Sequence, residues 1–388
     1  MGLNEKRAYL KEIRLRYRRA SKKLKTKVLD EFCAVCKYHR KHAIRILRAP
    51  FRVTKPKPKK RGIKSTYNNI DVIKPLVKIW LTSNQMCSKK LKAAIPLWLP
   101  HYEYEYGELT NEIRSKLLKV SAATIDRLLK PNKVKYKRKG LSGTKPGSLL
   151  KNQIPIRTSN WDITKPGFCE ADTVAHCGNS LVGDFVWSLT LTDIFSGWTE
   201  NRALWGKGSG EVIKQVKHVE KNLPFKLLGF DCDNGTEFLN YHLIRYFSDR
   251  PKQKVVQFTR SRPYHKNDNA YVEQKNWTHV RQLLGYDRFD RKILVPLLND
   301  LYSNEYNLLQ NHFCPSMKLI SKERINSKYH KKYDKPQTPY QRLLSSEGVS
   351  AEAKQKLMVV HATLNPFELK RVVESKLKTI LQSVPVRK

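Results

Sequence analysis

Acidic residues are scarce in this 388-residue sequence: 34 Asp and Glu face 76 Lys and Arg, which gives a net charge of +42. No apolar run approaches the roughly 18 residues that a membrane helix needs. Residues 1–7 contain no apolar signal core and no myristoylation motif. We therefore expect a soluble, intracellular protein without a membrane partner. The 40% of hydrophobic residues suffice for two or three folded domains, and the charge predicts a polyanionic partner.

Cysteine is also sparse, since the seven residues are odd in number and scattered along the chain, a pattern that excludes a disulfide framework. Cys33, Cys36, His39 and His42 form C-x2-C-x2-H-x2-H and raise the hypothesis of a zinc site. The histidine spacing is tighter than in structural zinc sites. We favour the alternative of two helices whose cysteines are small buried residues.

The positive charge is concentrated at the two ends of the chain. Residues 1–150 carry +29 and residues 311–388 carry +10, whereas residues 161–310 carry only +1. Runs of Pro, Gly and Lys predict basic linkers. The resulting domains are an N-terminal helix-turn-helix (1–50), a basic linker (51–66), a second helix-turn-helix unit (67–130), a second basic linker (131–159), an α/β core (160–310) and a small basic C-terminal region (311–388).

Both helical units have the features of DNA-binding elements. Residues 24–48 are predicted as helix, turn and helix, and Ser121 is placed to cap a helix within the second unit. Exposed cations on a second helix can reach phosphates and base edges, and a cationic linker contacts phosphates. The residues predicted to bind double-stranded DNA here are Arg40, Lys41, Arg45 and Arg48 on the helix, and Lys133, Lys135, Lys137, Arg138 and Lys139 in the linker.

From residue 168 the pattern changes to β-formers with a period of two. Three acidic residues of this core stand out: Asp172 lies inside the first strand, Asp233 follows an apolar strand, and Glu273 lies one turn into a long helix. A carboxylate within a strand is disfavoured unless it is paired or binds a cation. The predicted strands are 168–177, 185–194, 198–204, 226–230 and 254–258, and the predicted helices are 210–223, 236–247 and 268–284.

Four segments carry a family resemblance: Glu170-Ala171-Asp172-Thr173-Val174, residues 191–200 (LTDIFSGWTE), residues 231–238 (DCDNGTEF) and residues 260–276 (RSRPYHKNDNAYVEQKN). Over about 160–290 the sequence resembles the catalytic core of insertion-sequence transposases of the retroviral-integrase type. The resemblance implies a ribonuclease H-like fold, in agreement with the mixed five-stranded sheet and flanking helices that the residue pattern predicts. It also implies the catalytic, metal-binding triad Asp172, Asp233 and Glu273.

The implied reaction is cleavage at transposon ends, followed by transfer of the exposed 3′-hydroxyls into target DNA. Hard oxygen ligands without clustered His or Cys favour Mg²⁺ or Mn²⁺, and two ions would serve this chemistry. The expected partners are the element's terminal repeats, target DNA and further copies of the chain, in a bacterial cytoplasm and associated with the nucleoid.

Two features depart from the family pattern. The interval from Asp233 to Glu273 is 40 positions, slightly longer than usual, and Val280 occupies a place where the family often has a basic DNA contact. The residues predicted to bind DNA around the core are Arg260, Arg262, Lys266, Asn267, Asn269, Lys275 and Arg281. Asp193, Asp231 and Glu237 have no assigned role, and Asp193 is either a strand-end residue or a supporting acid.

The C-terminal region contains a helix with Asn365 as its predicted cap and Pro366 in its first turn. Its apolar stripe is interpreted as core or as a self-association face. The alternative to the transposase is a catalytically silent transposase-derived repressor or host factor that keeps the DNA-binding arms. A nonspecific nuclease of the same fold would leave those arms unexplained.

Overall fold

The fold was analysed in a computed structural model that describes residues 1–49, 66–135, 164–232, 238, 241–251, 256–260, 270–325 and 328–384. Two compact units divide the chain, residues 1–64 and 65–388. No helix within the described ranges combines the length and apolarity needed to cross a membrane.

The first unit is a three-helix cluster. Its helices are α1 (Leu3–Arg19), α2 (Lys22–Cys36) and α3 (Arg40–Arg48). Lys37 ends α2 in the left-handed conformation with a φ of 58°, so a lysine takes the place that glycine usually holds in such a turn. Phe32, Cys36 and Leu47 are fully buried in the core that the three helices share. The sequence predicted α2 and α3 but not α1.

The second unit begins with four helices, α4 (Ile70–Thr82), α5 (Ser88–Tyr106), α6 (Asn111–Lys119) and α7 (Ala122–Lys135). The Ser121 hydroxyl accepts a hydrogen bond of 3.1 Å from the Thr124 amide, which is the predicted cap. These helices do not have a separate core. They share one with Phe313 and Phe367 from the C-terminal part of the chain.

The central sheet has the strand order β3-β2-β1-β4-β5. Its strands are β1 (Phe168–Ala175), β2 (Val186–Asp193), β3 (Thr199–Trp205), β4 (Gly229–Cys232) and β5 (Gln257–Arg260). Strand β2 is antiparallel to both neighbours, whereas β4 is parallel to β1 and to β5. The mixed five-stranded sheet predicted from the sequence is confirmed.

Helices flank the sheet. They are α8 (Ser209–Asn222), α9 (Tyr241–Ser248), α10 (Ala270–Lys275), α11 (Gln282–Leu284), α12 (Leu294–Leu301) and α13 (Asn307–Phe313). Two π-helical segments interrupt this series, Asn276–Arg281 after α10 and Tyr302–Tyr306 after α12. The described part of the helix predicted over 268–284 is helical from Ala270 to Leu284, but its hydrogen-bonding pattern changes from α to π at Asn276.

The predicted limits of the first three strands hold within two residues. The fifth strand begins at Gln257 rather than at 254, and the fourth strand was likewise predicted too early. Its observed range reaches Cys232 rather than ending at Phe230. The apolar run that suggested a strand at 226–230 includes Leu227, which is buried in the core without belonging to the strand. Burial alone does not distinguish a strand from the segment that leads into it.

The chain closes with a hairpin and three helices: β6 (Leu319–Ile325), β7 (Lys328–Tyr333), α14 (Pro339–Ser345), α15 (Ala351–Thr363) and α16 (Pro366–Gln382). The Asn365 side chain caps α16 by accepting from the Phe367 amide at 2.9 Å. Val373 and Ile380 are buried against α12. The stripe of α16 is therefore largely core.

Candidate functional site

Two acid-bearing strands lie side by side in the middle of the sheet. In the parallel register of β1 and β4, Glu170 pairs with Asp231 and Ala171 pairs with Cys232. Asp172 is two residues beyond Glu170, so the two side chains point to the same face of the sheet. Asp233, the second residue of the predicted triad, lies outside the described residues; it directly follows Cys232 in the sequence.

Asp172 is tied to the helix that carries Glu273. Its Oδ2 accepts a hydrogen bond of 2.7 Å from Asn276 Nδ2, and its Oδ1 accepts one of 2.7 Å from the Thr173 amide. Asn276 is three residues after Glu273, and residues at this spacing share one side of a helix. From this spacing we expect Glu273 to lie on the side of α10 that faces Asp172; its side chain is exposed.

Glu170 holds the amino end of the same helix. One of its carboxylate oxygens, Oε2, accepts hydrogen bonds of 2.9 Å from the amides of both Tyr271 and Val272. Such backbone donors are left unpaired in the first turn of a helix. The pKa of Glu170 is raised to about 8: burial is the main cause, the two amide donors oppose it, and the negative charges of Asp231 and Glu273 add to it.

Two further acids of the core, Asp193 and Asp231, have structural contacts. Asp193 is buried and forms the turn after β2: its Oδ2 accepts from the Ser196 amide at 2.7 Å, and its Oδ1 accepts from the Gly167 amide at 2.8 Å. Burial raises its pKa to about 6. Asp193 is therefore the strand-end residue of the two alternatives. Asp231 accepts a hydrogen bond from the Thr259 hydroxyl at 2.5 Å.

The donor set around Asp172 suits a hard divalent cation. Asp172 and Glu273 offer carboxylate oxygens, which Mg²⁺ and Mn²⁺ prefer. Among the described residues there is no group of three or more His, Cys, Asp or Glu that could hold an ion, and Asp233 and Glu237 lie outside them.

The cations predicted on α3 are all exposed. Arg40 forms an ion pair with Asp30, and the Arg45 guanidinium lies 2.9 Å from Nδ1 of His42. Lys41 and Arg48 are exposed as well. The helix thus presents four cations to solvent. In the C-x2-C-x2-H-x2-H motif, Cys36 is in the core.

Lys275 and Arg281, two of the cations predicted to bind DNA around the α/β core, are less accessible than those of α3. Lys275 lines a cavity of about 390 Å³ together with Lys90 of α5. Burial and then the charge of Lys90 lower the pKa of Lys275 to about 7. Arg281 lies 4.7 Å from the centre of the Tyr286 ring, and burial lowers its pKa.

Several predicted contacts lie outside the described residues. These are Lys137, Arg138 and Lys139 of the linker, and Arg262, Lys266, Asn267 and Asn269 before α10. Lys133 forms an ion pair with Asp126 at 2.5 Å. Lys135 ends α7 and Arg260 ends β5, but the structure does not describe their side chains.

Sequence reasoning gave no role to Glu170 or Asn276. Both stand at a spacing that could have revealed them. Glu170 is two residues from Asp172 on a strand, and Asn276 is three residues from Glu273 on a helix, so each shares a face with a member of the triad. What the spacing does not show is that the carboxylate and the amide reach across from one element to the other.

Comparison with solved structures gives matches to retroviral integrase cores. The HTLV-2 integrase catalytic core domain, in complex with magnesium and in dimeric form, matches with 18% identity over 39% of this chain and 91% of its own, at a TM-score of 0.28. The catalytic core domain of BIV integrase matches with 17% identity over 47% of this chain and 95% of its own, also at a TM-score of 0.28. Scores this low add nothing to what the sheet itself shows.

No protein-family model matches the chain. A curated relative does: the uncharacterized protein y4rM of Sinorhizobium fredii (strain NBRC 101917 / NGR234) is 40% identical over 335 residues. The aligned region covers 84% of this chain and 91% of the relative. Identity at this level over nearly the whole of both chains implies a common fold, and the chain belongs to the family of y4rM.

Proposed function

We propose that this protein is a DNA transposase of the retroviral-integrase type, which cleaves the ends of a mobile element and joins their 3′-hydroxyls to target DNA. The observation that carries the proposal is the hydrogen bond between Asn276 and Asp172. It fixes the helix bearing Glu273 against the strand bearing Asp172, beside the strand that Asp233 follows in the sequence. This is the arrangement that the three sequence motifs require.

The chemistry needs charge neutralisation at phosphorus, a deprotonated nucleophile and in-line geometry. Asp172, Asp233 and Glu273 would hold the divalent cations, and bound Mg²⁺ would activate the nucleophile and stabilise the leaving oxygen. Asn276 orients Asp172 by donating a hydrogen bond to its Oδ2. The hydrogen bonds that the Tyr271 and Val272 amides donate to Glu170 fix the first turn of α10, and hence the position of Glu273.

The same proposal covers the partners of the chain. The exposed cations of α3 supply contacts to duplex DNA, and the helices of residues 66–135 supply the predicted second binding unit. The site acts on two DNA ends and a target, so the working species is a homo-multimer. We place it in the bacterial cytoplasm, on the nucleoid.

The test incubates the full chain with Mg²⁺ and linear duplexes of the DNA that flanks its coding region. We expect nicking and strand joining by the wild type, and a loss of about 10³-fold in both for Asp233→Asn and Glu273→Gln, as when a group that stabilises transition-state charge is removed. Asp249→Asn is the matched control, because Asp249 is an exposed acid at the end of α9.

The binding measurement separates the enzyme from its alternative. If wild type, Asp233→Asn and Asp249→Asn bind these duplexes equally and none of them cleaves or joins DNA, the enzyme proposal fails. The chain would then be a DNA-binding protein with a silent core.

A further inference from the structure

The hairpin of β6 and β7 is exposed on both faces. Every residue of β6 is exposed except Ser321, which is partly exposed. In β7, residues 329–333 are all exposed. Side chains alternate between the two faces of a strand, so neither face of this two-stranded ribbon covers a core. An isolated two-stranded hairpin is at best marginally stable in water, and we therefore expect a partner to cover it.

The ribbon is strongly basic. Its two strands contain five Lys or Arg residues and a single acid, Glu323. Lys322 stands directly opposite Lys331 in the cross-strand register. Like charges in this position destabilise a hairpin, so the pairing is unfavourable unless an anion lies against it.

Aromatic side chains lie between these cations. The Lys322 ammonium lies 4.4 Å from the centre of the Tyr329 ring, on the neighbouring strand. Tyr329 and Tyr333 are themselves 37% and 45% exposed. Cations interleaved with exposed rings are the composition of nucleic-acid-binding surfaces, where rings contact sugars and bases while cations contact phosphates.

The base of the ribbon is firmly anchored. Asp334 follows β7 and accepts a hydrogen bond of 2.6 Å from the Lys318 amide, at the start of β6. The buried Arg342 of α14 donates to Asp334 at 2.8 Å and to the Ser316 carbonyl at 2.9 Å. The hairpin therefore leaves the body of the protein at a fixed point.

We propose that the β6–β7 ribbon is a DNA-contacting arm that lies in a groove of duplex DNA. The major groove of B-DNA accommodates a two-stranded β-ribbon, and strands of six or seven residues span about 20 Å. The net positive charge of the ribbon favours a polyanionic partner over the edge strand of another protein's sheet. The inference goes beyond the proposed reaction and does not depend on it, since it concerns binding alone.

The test measures duplex DNA affinity as a function of salt, in EDTA so that no cleavage occurs. The variant is the full chain with Lys322→Ala and Lys331→Ala together. Each phosphate contact contributes about 0.9 to the slope of log K against log salt, so we expect the slope to become shallower by about 1.8. A matched control, Lys356→Ala with Lys378→Ala, removes two exposed lysines from α15 and α16 and should leave the slope unchanged.

Tyr329→Ala gives a second readout. It should weaken binding without changing the slope, because a ring contact releases no counterions. A ribbon variant that matches its control in slope and affinity would overturn the proposal. So would a change of oligomeric state in sedimentation with an unchanged slope, since the ribbon would then be a protein interface. Binding in EDTA is independent of strand transfer, so this result and the activity result stand separately.

Discussion

Glu170 shows how a single buried acid can organise a helix. Its carboxylate accepts two amide hydrogen bonds from the first turn of α10, and its burial raises the pKa to about 8. At neutral pH the protonated form is therefore favoured in the folded protein, although the amide donors favour the charged form. The sequence alone suggests an ordinary ionised glutamate, because nothing in it shows that α10 covers this position.

This burial predicts a pH-dependent stability. An unfolded Glu170 titrates near 4.5 and the folded one near 8, so between these values the folded state holds a proton that the unfolded state has released. The stabilising contribution of Glu170 to the free energy of unfolding is complete below pH 4.5 and is lost as the pH rises to about 8. We expect the free energy of unfolding to fall by up to about 1.4 kcal/mol per pH unit within this window.

Glu170→Gln should lack this component, since glutamine keeps an acceptor for the amides and does not ionise. The measurement is urea unfolding at pH 5.5 and 7.5 in EDTA, followed by tryptophan fluorescence. All seven tryptophans lie beyond residue 65 and therefore report the second unit. The titration of Asp193 contributes equally to the pH dependence of both proteins, so this contribution cancels when they are compared. Identical pH dependence in both would contradict the assignment.

At the scale of elements, the candidate site depends on how a helix meets a strand. Helix α10 ends at Lys275 and the π-helical segment begins at Asn276, the residue that donates to Asp172. A π-helical turn inserts an extra residue into the helical repeat and changes the directions of the side chains that follow; such turns often occur at functional sites. Helix periodicity in the sequence gives no sign of it.

Asn276→Ala is therefore expected to reduce activity more than stability. Residues that hydrogen-bond to a metal ligand typically contribute 10–100-fold to metal affinity or activity, and we expect a loss of strand transfer in that range. Asn304→Ala is the control, because the Asn304 amide likewise donates to a carboxylate, that of Asp300, at 2.6 Å on an exposed helical surface. Activity should be compared at saturating Mg²⁺ and over an Mg²⁺ titration.

An increased Mg²⁺ requirement in Asn276→Ala, with unchanged DNA affinity, would locate the defect at the carboxylates. Equal activity of Asn276→Ala and Asn304→Ala would contradict the positioning role. A merely structural defect would instead lower the melting temperature of Asn276→Ala without changing its Mg²⁺ requirement.

At the scale of the whole molecule, the limits of the hydrophobic cores do not coincide with the limits of the charged segments of the sequence. The first 150 residues carry +29, yet they contribute to two different units. Trp98 of α5 donates a hydrogen bond of 2.9 Å to the Phe313 carbonyl and packs edge-on against Phe367. The helices of residues 66–135 therefore share their core with distant parts of the chain, whereas residues 1–64 have a core of their own.

We expect fragment 1–64 to fold and to bind duplex DNA with a strong salt dependence. Fragment 66–135 should not fold by itself, because it lacks Phe313 and Phe367 and would expose Trp98. Circular dichroism on heating and gel filtration check both fragments. A monomeric, cooperatively melting fragment 66–135 would contradict this division, and a salt-insensitive fragment 1–64 would contradict the DNA-binding role of α3.

The sequence by itself determined the chemistry that is available and its order along the chain. The mixed sheet followed from alternating β-formers, and the caps at Ser121 and Asn365 followed from local side-chain hydrogen bonding. The candidate triad followed from the family resemblance of the motifs that contain it. Alternation, caps and individual motifs are local properties of the chain, each set within a few residues. The hairpin β6–β7 was missed because strands exposed on both faces do not alternate between apolar and polar residues.

Only the tertiary structure decided which residues meet across elements. The contacts of Glu170 with α10, of Asn276 with Asp172 and of Trp98 with Phe313 join residues separated by about 100 positions or more. Their partners depend on strand register and helix packing, which many sequences of the same pattern could satisfy differently. Burial also belongs to this level: it raises the pKa of Glu170 and places Lys275 in a cavity, because desolvation depends on everything packed around a side chain.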